Sequence, residues 1–359
     1  MKIVVIGGHF TPALAVVEKL KEHEILFIGR KYALEGDKAL SFEYQEIQKL
    51  GIKFKSLIAG RLQRKFTIHT IPSLLKFPVG FFQSLFILRS FKPDVILGFG
   101  GYVQLPVIFS AAILRIPIII HEQALTAGLA NKIASHFASK VCISWKSSEN
   151  SFPKEKIVLT GNPIRKEIIQ ALTNDSKQSS IHTIYITGGS LGSHALNQLV
   201  EGSLNRLSKS LRIIHQTGDA KEFKDFERLS FLREDLENKN HYFIKKFLNA
   251  AEVGEVLKKV DLVVSRAGIN TITELIYLNK PCFLIPLPQG KEQKINAEFV
   301  KGLGLAEVRE EEELNPTIFI DAIKNMFADL NGYKTAENIL LQNPEEKIGE
   351  VVVNVGKKA

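Results

Sequence analysis

Short apolar runs alternate with segments of helical period along almost the whole chain, and few folds accept that pattern. In the first half the runs read KIVVI, EILFIG, DVILGF, IPIIIHE and KVCIS, with amphipathic stretches between several of them, for example Pro12 to Lys21 and Thr126 to Ser135. Such runs suit strands buried on both faces of a parallel sheet, and their alternation with helices predicts βαβ units. The pattern pauses at Thr160-Gly161-Asn162-Pro163-Ile164-Arg165 and a polar stretch through Ser180. It then restarts with HTIYIT, RIIHQ, HYFIKKF, DLVVS and PCFLIP. A length of 359 residues agrees with two domains. The economical reading is α/β, with two Rossmann-like domains over 1–162 and 163–342 and a tail helix over 343–359 that packs across one or both.

Each half carries a glycine turn between its first strand and first helix. In the first it is Gly7-Gly8-His9, followed by Thr11 as a suitable N-cap and Pro12 as a first helical residue. In the second it is Thr187-Gly188-Gly189-Ser190-Leu191-Gly192-Ser193. Backbone N–H groups at such turns approach an anion closely, and the following helix N-terminus favours phosphate. A plain strand-to-helix turn with Ser190 as N-cap fits the second one equally well. Gly98-Phe99-Gly100-Gly101-Tyr102 and Ser265-Arg266-Ala267-Gly268 also follow strands, and Glu274 falls in the first turns of the helix after the latter. That carboxylate either accepts from sugar hydroxyls or simply complements the helix dipole. His121-Glu122-Gln123 ends an apolar run; three such polar side chains are not expected to be core together, so at least one should face a crevice, unless they hydrogen-bond one another.

Several classes are disfavoured. Cys142 and Cys282, each inside an apolar run, give neither a disulfide framework nor a metal cluster and suit a reducing compartment. The first apolar run is too short for a secretory signal. No Asp-x-Asp pair, metal-ligand spacing, P-loop or full Gly-x-Gly-x-x-Gly with a placed acidic residue occurs. The net charge of +9 is uneven: up to Arg165 there are 22 Lys+Arg against 11 Asp+Glu, and beyond it 25 against 27. Ile47 to Pro93 contains Arg61, Arg64, Lys65 and six other cations with no acidic residue, interleaved with phenylalanines. No nucleic-acid recognition motif accompanies them, so nucleic acid is not expected as a partner. Leu74, Leu75, Phe77, Phe81 and Phe82 lie in an apolar stretch broken by Pro72, Lys76, Pro78 and Gln83, too interrupted to span a bilayer. It reads either as an interfacial patch for anionic lipid or as a core helix with a solvated basic rim.

The segments GGHFTPALAV, GFGGYVQLP, IPIIIHEQALTAGLANK, LTGNPIR, ITGGSLGSHALNQ, HQTG, DLVVSRAGINTITEL and PLPQGKEQKINA, in this order and across nearly the whole chain, resemble the MurG family of bacterial cell-wall synthesis. The resemblance implies a GT-B fold with the active site in the cleft between two Rossmann-like domains. It implies transfer of N-acetylglucosamine from UDP-N-acetylglucosamine, with inversion, to the C4 hydroxyl of undecaprenyl-pyrophosphoryl muramoyl-pentapeptide. By position it places Arg165 and Ser190 at the donor diphosphate, the backbone near Phe247 and Leu248 at uracil, Glu274 at ribose and Gln293 at the sugar hydroxyls. Gly7, Gly8, Gly100, Gly101, Tyr102 and Glu122 then face the acceptor, and His9 is the general base. No tightly bound metal or other cofactor is implied. Anionic inner-leaflet lipids and cell-wall synthesis proteins become the further partners, at the cytoplasmic face of the membrane. The chain departs from the family pattern twice. Its first loop is three residues shorter than Gly-Gly-Thr-Gly-Gly-His, and Ala124 replaces an asparagine. Other lipid-directed GT-B transferases, a sugar-nucleotide epimerase and a non-catalytic scaffold are the competing readings.

Overall fold

The computed structural model describes residues 1–32, 40–58, 70–172, 181–218, 223–335 and 339–358, with backbone alone for 70–75 and 171–172. Arg61, Arg64 and Lys65 lie outside the described residues, as do the side chains of Leu74 and Leu75. The chain forms two compact units, one of Met1–Ile164 with Leu341–Ala359 and one of Arg165–Leu340.

The first unit runs β1 (Lys2–Ile6), α1 (Phe10–Lys19), β2 (Glu24–Gly29), α2 (Phe42–Lys49), β3 (Lys53–Ser56), α3 (Thr70–Phe91), β4 (Val95–Gly98), α4 (Gln104–Ile113), β5 (Ile118–Glu122), α5 (Leu129–Ser135), β6 (Lys140–Ile143) and β7 (Ile157–Leu159). These strands form one parallel sheet in the order β3-β2-β1-β4-β5-β6-β7. Alternate residues of β1 enter cores on opposite faces: Ile3 and Val5 pack with Val16 and Val17 of α1, while Val4 and Ile6 pack with Leu88, Val107 and Ile108. Both faces are therefore apolar, which is why the strand reads as an unbroken hydrophobic run.

The second unit runs α6 (Lys166–Leu172), β8 (Thr183–Thr187), α7 (His194–Leu207), β9 (Arg212–Gln216), α8 (Asp225–Glu234), β10 (Tyr242–Lys245), α9 (Ala250–Lys259), β11 (Leu262–Ser265), α10 (Ile269–Tyr277), β12 (Cys282–Leu284), α11 (Lys291–Gly302), β13 (Ala306–Val308) and α12 (Pro316–Ala328). Its parallel sheet has the order β10-β9-β8-β11-β12-β13. The last helix, α13 (Pro344–Gly356), belongs to the first unit: Ile348 and Val352 join the core of β1 and α1, and Lys19 donates to Glu346 at 2.8 Å.

Both sheets reverse strand order beside their first strand, between β1 and β4 and between β8 and β11. Open α/β sheets collect ligands outside the carboxyl ends of strands at that position. The glycine turns lie there in each unit.

Local structure corrects three expectations. Helix α1 starts at Phe10 with His9 as its N-cap, two residues before Pro12. Proline is tolerated at the third helical position because the N–H it lacks has no intrahelical partner there. The N-cap of α7 is Ser193, whose Oγ accepts from Leu196 N–H; Ser190 is exposed in the turn before it. Helix α5 starts at Leu129 rather than Thr126, because Glu122 captures the N–H groups of Ala124 and Gly128 and holds 124–128 as a loop.

Candidate active site

In the first unit, Gly7, Gly8 and His9 fill the whole gap between β1 and α1. A Cβ on Gly8 would stand 2.1 Å from the carbonyl oxygen of Gly100, so only glycine lets this turn touch the turn after β4. Gly100 and Gly101 both adopt positive φ, 79° and 74°. His9 sits between the turns, its ring Nδ1 3.0 Å from the carbonyl oxygen of Phe99. A carbonyl only accepts, so Nδ1 carries a proton, and in the neutral ring Nε2 then holds the lone pair.

A buried polar chain supports the second turn. Gly100 N–H donates to Gln104 Oε1 at 3.0 Å, Gln104 Nε2 to Asn131 Oδ1 at 2.7 Å, and Asn131 Nδ2 to Glu122 Oε2 at 3.0 Å. Glu122 thus accepts Asn131 together with the backbone N–H groups of Ala124 and Gly128 while only 1% exposed. Its carboxylate shapes the loop from within.

His121, Glu122 and Gln123 are all at most 2% exposed, so the expectation that one of them faces outward is overturned. His121 Nε2–H donates to the carbonyl of Gly161, and burial holds this imidazole at a pKa of about 4, hence neutral. The loops around the strand end supply partners for His121 Nε2 and for the Glu122 carboxylate, whereas His121 Nδ1 and Gln123 Oε1 are buried without a hydrogen-bond partner among the described residues. The sequence does not show those loops closing over it.

Tyr102 follows the glycines, and its hydroxyl accepts from Arg30 Nη1 at 3.2 Å. Beneath, Glu43 of α2 accepts the N–H of Arg30 and packs so closely that a Cβ on Gly7 would stand 2.8 Å from its Oε2. Burial raises the pKa of the Glu43 carboxyl, with the Arg30 N–H opposing. Arg30 and Glu43 lie outside every segment that carries the family resemblance, whereas Gln104 and Asn131 fall inside GFGGYVQLP and IPIIIHEQALTAGLANK without an assigned role there. Of the four, only Arg30, next after β2, and Gln104, in the helix start after β4, lie near strand ends that flank β1; Glu43 and Asn131 sit within α2 and α5.

In the second unit, Gly192 and Gly218 are packed back to back: a Cβ on Gly192 would lie 2.1 Å from Thr217 O, and its φ is +79°. Gln216 joins the turn to its surroundings, donating to Gly189 O at 3.0 Å and accepting from Tyr185 hydroxyl and Leu248 N–H. The Leu248 backbone donor is therefore occupied, while Phe247 beside it is 43% exposed.

Arg165 and Glu274 form a bidentate pair, Nε to Oε1 and Nη2 to Oε2, both 2.7 Å. Gln293, in the first turn of α11, accepts Leu287 N–H and so ties down the 287–290 turn. Arg266, assigned no role by sequence reasoning, is 8% exposed and donates to Ser193 Oγ, to the carbonyls of Ile285 and Pro286, and to Glu311. It binds the N-cap of α7 to the end of β12. Of the residues expected on the donor side, Arg165 and Glu274 meet directly, whereas no described contact joins Ser190 or Gln293 to them.

Among the described residues, no cluster of three or more His, Cys, Asp or Glu is placed to hold a metal. No described helix is long and apolar enough to cross a membrane. Helix α3 nonetheless exposes Phe82 (66%) and Phe86 (76%), and it borders a cavity of about 710 Å³ with Phe77, Phe81, Phe109 and Phe137 in its walls.

Two doubly wound parallel sheets, each with glycine turns at its reversal point, define a GT-B-type glycosyltransferase fold. The glycosyltransferase family 28 N-terminal domain matches residues 6–143, and the corresponding C-terminal domain matches 183–351. A UDP-N-acetylglucosamine–N-acetylmuramyl-(pentapeptide) pyrophosphoryl-undecaprenol N-acetylglucosamine transferase of Clostridium kluyveri is 35% identical, covering 90% of this chain and 91% of the relative. The Listeria monocytogenes protein of the same name is also 35% identical, covering 98% and 97%. The crystal structure of Acinetobacter baumannii MurG superposes with a TM-score of 0.72 at 24% identity, covering 99% of this chain and 100% of that one. A UDP-GlcNAc 2-epimerase from Neisseria meningitidis, with UDP-GlcNAc bound, shares the fold at TM-score 0.64 and 15% identity, covering 100% of both chains. The chain belongs to glycosyltransferase family 28 and, within it, to the MurG family.

Proposed function

We propose that this protein transfers N-acetylglucosamine from UDP-N-acetylglucosamine to the C4 hydroxyl of undecaprenyl-pyrophosphoryl muramoyl-pentapeptide, the step that completes the lipid-linked disaccharide of peptidoglycan. The observation that carries this reading is the orientation of His9. Its Nδ1–H is held by the Phe99 carbonyl, and its Nε2 lone pair is left for a substrate proton. Relatives that are 33–35% identical over at least nine-tenths of this chain bear the name of this transfer.

The C4 oxygen attacks the anomeric carbon while Nε2 of His9 takes its proton. The new C1–O bond forms as the bond from C1 to the diphosphate oxygen breaks, which inverts the configuration and releases UDP. Backbone N–H groups of the Gly188–Gly192 turn, Ser190 and the guanidinium N–H groups of Arg165 beyond those paired with Glu274 meet the charge on the departing diphosphate. Glu274 accepts a ribose hydroxyl, the chain at Phe247–Leu248 borders uracil, and Gln293 meets the sugar hydroxyls. Gly7, Gly8, Gly100, Gly101 and Tyr102 receive the acceptor diphosphate, with Glu122 fixing the loop behind them. The exposed phenylalanines of α3 rest in the boundary of an anionic inner leaflet, which keeps the enzyme peripheral at the cytoplasmic face, where its acceptor lies.

The test is UDP release by the purified chain with a panel of nucleotide sugars and a lipid-linked muramoyl-pentapeptide. UDP-N-acetylglucosamine should be used preferentially, with formation of the disaccharide. Transfer of another sugar, or hydrolysis without transfer, would overturn the reading.

A further inference from the structure

The turn between β1 and α1 has very few N–H groups left to offer an anion. Gly7 N–H already donates to Ile28 O at 2.8 Å, and His9 N–H to Phe99 O at 3.3 Å. Pro12 has none, so the turn and first helical positions offer only Gly8, Phe10 and Thr11. A diphosphate brings at least two negative charges, and uncompensated charge of that size is costly outside bulk water.

The missing charge stands directly above. In the sheet, β2 and β4 flank β1. A side-chain bond from the residue after β2 to the loop after β4 must therefore cross the end of β1, where Gly7 and Gly8 lie. Arg30, the residue after β2, makes that bond: its Nη1 donates to Tyr102 hydroxyl at 3.2 Å, and its guanidinium carbon is 5.7 Å from the ring centroid. Its backbone is pinned on both sides, N–H by Glu43 and C=O by Ser41 Oγ. Among the described residues no carboxylate lies within ion-pair distance of this guanidinium; Glu43 accepts the Arg30 backbone N–H and feels the guanidinium charge from further away. The side chain is exposed, so its remaining N–H groups can reach a ligand.

We infer that Arg30, steered by Tyr102, is a binding residue for the diphosphate of the acceptor, supplying the charge that the short glycine turn lacks. The inference rests on the transfer proposed above and adds to it the group that recognises the acceptor's diphosphate. Guanidinium suits this task through paired N–H groups that match phosphate oxygens.

The experiment compares the full-length wild type with Arg30→Ala, Arg30→Lys and Tyr102→Phe. KM is measured separately for UDP-N-acetylglucosamine and for a soluble diphosphate-linked muramoyl-peptide. Arg30→Ala should raise the acceptor KM at least tenfold and leave the donor KM within twofold and the thermal midpoint unchanged. Arg30→Lys should recover some of the loss, and Tyr102→Phe should fall between. An unchanged or lower acceptor KM overturns the inference, and a rise in donor KM instead would move Arg30 to the other diphosphate and overturn it too. Binding of farnesyl diphosphate and farnesyl monophosphate, without donor, judges Arg30 even if the wild type fails to transfer to a muramoyl acceptor. The wild type should prefer the diphosphate and Arg30→Ala should lose that preference. Equal preference in both proteins contradicts the assignment.

Discussion

Arg165 and Glu274, 109 positions apart, meet through two parallel 2.7 Å hydrogen bonds. Both are largely shielded, with side-chain exposures of 25% and 7%. The Glu274 charge acts to raise the Arg165 pKa against the opposing effect of burial. Removing one partner leaves the other as an unmatched, poorly hydrated charge. Glu274→Ala should therefore destabilise the second unit by roughly 2–4 kcal/mol, and the double variant with Arg165→Ala should lose less than the sum of the singles. Urea unfolding in a double-mutant cycle measures this; strictly additive losses would show that the pair is energetically silent.

Gly189 and Gly192 provide a contrast within one turn. Both have positive φ, 85° and 79°, but a Cβ on Gly189 meets nothing within 4 Å, whereas one on Gly192 strikes Thr217 O. Gly189→Ala should cost only the left-handed backbone, about 1–2 kcal/mol. Gly192→Ala must also push the 217–218 turn away, so its thermal midpoint should fall clearly further and donor affinity with it. Similar midpoints for the two variants would contradict the packing described.

Acid should destabilise both units for the same reason. Burial lowers His121 to about 4 and His215 to about 3, against an ordinary value of 6.5. Between these values the unfolded chain binds protons that the folded one refuses, so stability is full above about pH 6.5 and falls as pH drops toward 4. For His121 the loss is on the order of 3 kcal/mol by pH 4. Urea midpoints at pH 7 and pH 5 should differ, and His121→Gln should flatten the portion of the slope belonging to the first unit. A flat profile in the wild type would contradict neutral, buried imidazoles.

The proposed membrane contact is tested at Phe82 and Phe86, which stand exposed on α3. Losing one phenylalanine from an apolar boundary costs roughly 1.5–3 kcal/mol at full burial, about ten- to a hundredfold in affinity, so each serine variant, only partly buried there, should bind anionic vesicles several-fold to about tenfold more weakly. Arg61, Arg64 and Lys65 reversed to glutamate should weaken binding in a salt-sensitive way. Sedimentation with vesicles decides; unchanged partition would remove the lipid role of this surface.

Central strands such as β1, β4, β8 and β11 were legible because both their faces are buried and their sequences are continuously apolar. Edge strands β3 (KFKS) and β13 (AEV) were not, since short, half-exposed strands carry little pattern. The glycine turns announced themselves through residues that only a close approach or positive φ requires. Arg30 and Glu43 did not, and Asn131 and Arg266, though inside the segments that carry the resemblance, showed no role there, because each is an ordinary residue type whose meaning comes from partners distant in sequence. His121, Glu122 and Gln123 misled for the same reason: their burial depends on loops that fold over the strand end.

His9 remains the central claim, and turnover of His9→Ala against its affinity for UDP-N-acetylglucosamine tests it most directly. With the acceptor supplied, turnover should fall by about 10²–10⁴-fold while donor affinity stays within a few-fold of wild type. Undiminished turnover, or a loss explained wholly by weaker donor binding, would show that His9 is not the base.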